Sequence, residues 1–143
     1  YNYIEKHGEP LYELINNSVD KDRKIFFVHG GTEVADREEV RLITELENNA
    51  VIIASYGTFS TGINIKRLHN IVFASPSKSR IRNLQSIGRV LRRGEGKDIA
   101  TLYDIADDIG GQNYTLKHLN ERVNIYNDEN FKYEVIKVNL RAN

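Results

Sequence analysis

Four short apolar runs constrain this chain more than any other feature. KIFFV at 24–28, AVIIAS at 50–55, NIVFAS at 70–75 and IATLYDI at 99–105 are too short for core helices. β-Branched and aromatic residues crowd most of them, as in strands. Nearly continuous apolar runs of this kind suit strands of a parallel sheet whose faces are covered. Helical segments fall between them, at roughly 8–17, 34–48 and 79–91. In the second, Val40, Ile43 and Leu46 or Glu47 keep helical spacing, with Glu38, Glu39, Arg41 and Glu45 outside. Asp36 or Thr32 is placed to cap its start. The alternation of strand and helix predicts an α/β fold, a parallel sheet flanked by helices on both faces. Such sheets bind ligands beyond the carboxyl ends of their strands. The segments to watch are therefore HGG after Val28, SYGTFSTG after Ala54 and SPSKS after Ala74.

The rest of the chain reads differently. Leu116, Leu119, Val123 and Tyr126 are spaced by three, four and three, which predicts an amphipathic helix over 113–131. YEVIKV at 133–138 alternates like a half-buried strand. Residues 111–143 are thus expected to be a helix and strand packed back on a domain of residues 1–110. A partner-binding helix is the alternative. The opening, YNYIEKHGEPLYELIN, has no initiator Met and reads as though the chain were just leaving a strand, so truncation is expected at this end.

A length of 143 residues suits one domain with a real core. There is no cysteine, which excludes disulfides and thiolate metal sites. His7, His29, His69 and His118 show no ligand spacing, so no metal site is expected within the chain. No apolar run reaches membrane-spanning length and no secretory signal is visible, leaving the cytoplasm as the default compartment.

A formal net charge of zero hides an asymmetry. Between Lys66 and Lys97 stand Lys66, Arg67, Lys78, Arg80, Arg82, Arg89, Arg92, Arg93 and Lys97, against Glu95 alone. Nine minus one leaves +8. This is either a solvated basic face or an anion-binding strip for phosphates of nucleotide or nucleic acid.

Within RNLQSIGRVLRRGEGK, at 82–97, helical geometry sorts the residues. Ile81, Leu84, Ile87 and Leu91 form an apolar stripe. Gln85, Arg89 and Arg92 lie at i, i+4 and i+7 in a second stripe beside it, with Gly88 between, where a missing side chain permits close approach. Two guanidinium groups and an amide thus border the face that is buried. Arginine's planar fork grips phosphate oxygens with paired hydrogen bonds. The competing interpretation is a solvent-facing helix whose arginines pair with nearby acids.

SYGTFSTGIN at 55–64 has Gly57 and Gly62 at the spacing of a phosphate loop, yet Ile63 and Asn64 stand where Lys and Ser/Thr belong. Together with QSIGRVLR at 85–92, the segment resembles something else. QSIGRVLR resembles motif VI of superfamily 2 helicases and translocases, and SYGTFSTGINI resembles their motif V. GTEVADREEV at 31–40, with its early Arg37, also fits that superfamily. The resemblance covers residues 1 to about 108. Within the superfamily, VIIASYGTFSTGINIKRLHNIVFA and IGRVLRRGEGKDIATLYDIADD are similar to the recombination helicases of T-even phages.

The resemblance implies the second of two RecA-like lobes that close on ATP, the first carrying the phosphate loop and the acidic Mg²⁺ site. Neither G-x-x-x-x-G-K-[ST] nor a strand-ending Asp-Glu pair occurs here. ATP and Mg²⁺ are then expected mainly on a first lobe of the same polypeptide, with the motif IV strand cut at or before Tyr1. By the same resemblance, Arg89 and Arg92 are arginine fingers, and Gln85 couples the nucleotide to the attacking water or the other lobe. Gly62 and Asn64 approach the ribose or phosphates, although many relatives carry Asp where Asn64 stands. Gly88 accompanies them at the nucleotide. Ser55, Tyr56, Thr58, His29, Gly30 and Gly31 match positions touching a nucleic-acid backbone; for Ser55 and Thr58, simple capping of the turn is the alternative. The implied partner is DNA, single-stranded or branched, with no membrane, and the implied activity is ATP-driven movement in recombination, repair or fork remodelling. An RNA helicase lobe and a non-catalytic nucleic-acid-binding lobe are the competing readings. The isolated chain is expected to be inactive.

Overall fold

A computed structural model describes residues 1, 3–58, 65, 68–75, 100–111 and 113–140. After a single π-helical turn, Ile4–Gly8, come α1 (Glu9–Ser18), β1 (Lys24–Val28), α2 (Val34–Leu46) and β2 (Ala50–Ala54). They are followed by β3 (Asn70–Phe73), β4 (Thr101–Asp104) and α3 (Tyr114–Asp128). All four strands coincide with the apolar runs. β1 and β2 pair in parallel, with Val28 beside Ala54, and β3 and β4 pair in parallel, with Phe73 beside Asp104. The fold is α/β, with parallel strand pairs flanked by helices. The third expected helix, at 79–91, lies outside the described residues.

Two apolar clusters hold the strands. Val28 and Ile65 are buried with Phe26, Val40, Ile52 and Ala54 against them, which seats α2 on the β1–β2 pair through Val40. Tyr56, Ile71, Phe73 and Tyr126 form the second, with Leu102, Val123, Ile125 and Phe131 packed on it. That cluster seats α3 on the β3–β4 pair. Leu68 touches both clusters and so joins the halves of the core. On β3, Ile71 and Phe73 are buried while Val72 is exposed. This pair therefore buries one face, where the apolar run alone predicts two.

The ends of the helices depart from expectation for local reasons. Neither Thr32 nor Asp36 caps α2. The N-cap is Glu33, without a side-chain bond, because the Thr32 hydroxyl is used in the preceding turn. Leu46, expected inward, is exposed at the last position of α2, where the chain turns extended at Glu47. α3 opens on Asn113, whose Oδ1 accepts from Thr115 N–H at 3.0 Å. It closes on Asn130 at φ 56°, with Phe131 N–H reaching Tyr126 C=O at 2.8 Å, the left-handed stop that Asn tolerates. The expected strand at 133–138 has no strand pairing among the described residues.

Candidate nucleotide and nucleic-acid site

Two loops leave the carboxyl edge of the β1–β2 pair side by side. Ser55 N–H donates to Val28 C=O at 3.1 Å, continuing the ladder by one bond into the loop after β2. The loops HGG and SYGT are therefore neighbours because of the parallel register, not because of sequence proximity.

The first loop is a tight turn tied at both ends. Thr32 N–H donates to His29 C=O at 3.0 Å, and His29 N–H donates to Thr32 Oγ1 at 3.0 Å. Gly31 N–H donates to His29 Nδ1 at 3.1 Å, which requires that nitrogen to be unprotonated and places a neutral ring's proton on Nε2. A Cβ on Gly31 would stand 3.1 Å from the His29 ring, so a side chain there displaces the imidazole. A Cβ on Gly30 would meet nothing within 4 Å. The outer face of the turn is thus open to a ligand backbone. Arg37 Nε donates to Thr32 C=O at 2.9 Å and fixes the turn to the first turn of α2.

In the second loop, Ser55 Oγ lies 2.8 Å from Thr58 Oγ1 and accepts from Thr58 N–H at 3.3 Å. This caps a helical start at residues 56–58. Thr58 is 3% exposed, and Tyr56 is buried against Phe73, ring centroids 5.7 Å apart. The side chains of Tyr56 and Thr58 are turned inward. Ser55→Ala removes the partner of a buried hydroxyl and the acceptor of an N–H. It is expected to lower unfolding stability by about 1–2 kcal/mol, read as a shift in denaturant midpoint at unchanged slope.

Tyr1 was not singled out by any sequence pattern, yet it stitches this edge. Its amino group donates to Ala54 C=O at 3.2 Å and its C=O accepts from Tyr56 N–H at 3.1 Å, the two bonds of a parallel pairing beside β2. Its hydroxyl donates to Val28 C=O at 3.1 Å, and its ring stacks on Phe27 at 5.6 Å. Burial pushes the phenol up to about 12, helped by Glu9. The hydroxyl thus remains a donor at neutral pH.

A second polar group also escaped the sequence patterns. Asp104, the last residue of β4, accepts from Arg122 Nε at 2.7 Å and from Tyr126 OH at 2.6 Å, both on Oδ2. Arg122 is 1% exposed. A charged residue four places before Tyr126 and three after Leu119, on the inward stripe of α3, is the sequence signal for it. Burial and the Asp104 carboxylate together hold the Tyr126 phenol far above its ordinary range.

Of the remaining predicted positions, Gln85, Gly88, Arg89 and Arg92, together with Gly62 and Asn64, lie outside the described residues. Among the described residues there is no cluster of three metal-ligating side chains, and no helix long and apolar enough to cross a membrane.

Residues 2–94 match the helicase conserved C-terminal domain. The chain is also 40% identical over 147 aligned positions to the ATP-dependent DNA helicase uvsW of Enterobacteria phage T4. That alignment covers 94% of this chain and 29% of the relative, so the chain spans less than a third of the protein it matches. No solved structure matches it.

Proposed function

The chain belongs to the helicase conserved C-terminal domain family, and on that premise we propose that it is the second motor lobe of an ATP-dependent DNA helicase or translocase. It works in recombination, repair or replication-fork remodelling, in the cytoplasm of the cell that holds the DNA. The observation that carries this reading is the 40% identity to a DNA helicase along nearly the whole chain. The placement of two adjacent loops beyond the carboxyl ends of β1 and β2 supports it, because parallel α/β sheets bind their ligands there.

In this reading ATP and Mg²⁺ sit mainly on a first RecA-like lobe of the same polypeptide, which supplies the phosphate loop. Gly62, Gly88 and Asn64 approach the nucleotide from this side. Arg89 and Arg92 neutralise charge developing on the γ-phosphoryl group, and Gln85 couples that group to water or to the first lobe. His29, Gly30, Gly31 and Ser55 lie along the nucleic-acid backbone as two internally tied turns, with Tyr56 and Thr58 supporting them from within. ATP binding closes the cleft and hydrolysis opens it. Both lobes grip the strand, so each cycle shifts one lobe along it.

The 143-residue chain alone is expected to show no ATP hydrolysis, with or without DNA, because the phosphate loop is not in it. Turnover above background in a phosphate-release assay would contradict the split site. In the full polypeptide, hydrolysis is expected to be stimulated by single-stranded or branched DNA. Stimulation by RNA alone would select the RNA helicase reading. Absence of hydrolysis with both would select a binding lobe.

A further inference from the structure

Tyr1 touches both loops of the candidate site. On β2, Ala54 C=O and Tyr56 N–H face Tyr1, while Ser55 N–H faces Val28 of β1. Successive residues of a parallel strand bond to opposite edges, so Tyr1 and β1 flank β2. The buried Tyr1 side chain crosses back over β2. Its ring lies 5.6 Å from that of Phe27, and its hydroxyl donates to Val28 C=O at 3.1 Å. One residue thus holds the last carbonyl of β1, where HGG departs, and the backbone of Tyr56, inside the loop after β2.

The π-helical turn that follows folds onto the same ring. His7 N–H and Gly8 N–H both donate to Tyr3 C=O, at 3.2 and 2.8 Å, which brings Gly8 back against Tyr1. Gly8 is buried, and a Cβ there would stand 2.7 Å from the Tyr1 ring. Its backbone is ordinary right-handed helix, φ −64° and ψ −50°, where alanine is otherwise favoured over glycine. What glycine supplies here is room for the ring. We propose that Tyr1 is a positioning residue: it fixes the HGG and SYGT turns at the spacing a nucleic-acid backbone needs, with Gly8 as the seat of its ring. The role in binding rests on the reading of these two loops as a nucleic-acid contact. Without the hydroxyl bond the turns are still linked by Ser55 N–H to Val28 C=O, and each keeps its internal bonds. They therefore loosen relative to each other before the sheet does.

Binding of single-stranded DNA by variants of the full polypeptide tests this. Tyr1→Phe keeps the ring and deletes one buried bond, and is expected to bind about fivefold more weakly than the parent. Gly8→Ala displaces the ring and is expected to weaken binding about tenfold. In a Tyr1→Val background the added methyl meets no ring, so Gly8→Ala should then change affinity by less than about twofold. Hydrogen exchange supplies a readout independent of DNA. Peptides covering 29–32 and 55–58 should both exchange about fivefold faster in Tyr1→Phe, with α3 unchanged. Variants that bind as tightly as a DNA-binding parent overturn the role of Tyr1 and leave the reading of the loops intact. A parent that binds no single-stranded DNA overturns the reading of the loops, and the binding role of Tyr1 with it. A Gly8→Ala loss undiminished in the Tyr1→Val background overturns the proposal, as does exchange that rises equally in α3, the mark of general loosening.

Discussion

Arg89→Ala and Arg92→Ala, each made in the full polypeptide, are expected to lower ATP turnover by about a thousand- to a hundred-thousand-fold. DNA binding should remain within a few-fold of the parent. The magnitude follows from the task assigned to the two groups. Phosphoryl transfer demands little covalent chemistry from protein, so rate comes from charge placed where charge develops. A guanidinium removed from that position leaves the transition state unneutralised while leaving the ground-state grip on the strand intact. The spacing of positions 85, 89 and 92 predicts a single stripe if the segment is helical, so both groups are expected to point the same way. Arg→Lys at either position keeps the charge but not the planar fork, and is expected to recover only a small part of the rate. Single-turnover hydrolysis with saturating DNA, read beside a DNA-binding isotherm, separates the two effects. Parent rates in either alanine variant would remove the finger assignment. An equal loss of turnover and binding would place the arginines on the strand instead.

The strands were legible because each carries its signal locally. KIFFV became β1 residue for residue, and AVIIA, NIVF and TLYD became the cores of the other three runs. The trimmed ends are positions where the chain leaves the ladder: Ser55, for instance, makes one more backbone bond to Val28 and then spends its hydroxyl on Thr58. Helix spacing likewise anticipated α2 and α3, but not the fate of Leu46, since periodicity does not know where a helix stops. The loops of the candidate site were singled out by a fold rule, carboxyl ends of parallel strands, rather than by any residue in them. Which way Tyr56 and Thr58 face was not legible, because a single residue after a strand has no period to read. Tyr1 was missed for the same reason. The segment at 133–138 has every local mark of a strand and still forms none, because a strand requires a partner that sequence alone does not supply.

Arg122→Met is expected to destabilise the chain by about 3–5 kcal/mol. The pair it breaks is almost fully enclosed, with side-chain exposures of 2% for Arg122 and 9% for Asp104. Removing the guanidinium leaves the Asp104 carboxylate buried with, among the described residues, the Tyr126 hydroxyl alone to stabilise it. The network is also incompletely satisfied among the described residues, where Asp104 Oδ1 and both terminal nitrogens of Arg122 find no hydrogen-bond partner. An ion pair in that state contributes little net stability, because desolvation offsets much of the attraction. A sharper expectation follows. Arg122→Met combined with Asp104→Asn deletes both charges and should recover most of the loss, leaving the double variant within about 1–2 kcal/mol of the parent. Tyr126→Phe should cost about 1–2 kcal/mol, since it removes one charge-assisted bond and leaves the ring in the core. Urea unfolding of the three variants measures all of this. A double variant as unstable as Arg122→Met alone would mean that the arginine acts through its packing along α3, not through its charge. The location gives the network its consequence. β3 and β4 bracket residues 76–99, the segment that holds Gln85, Arg89 and Arg92, and Asp104 is the point where α3 grips the end of β4. A helix locked there by charge fixes the frame from which the proposed fingers must reach ATP.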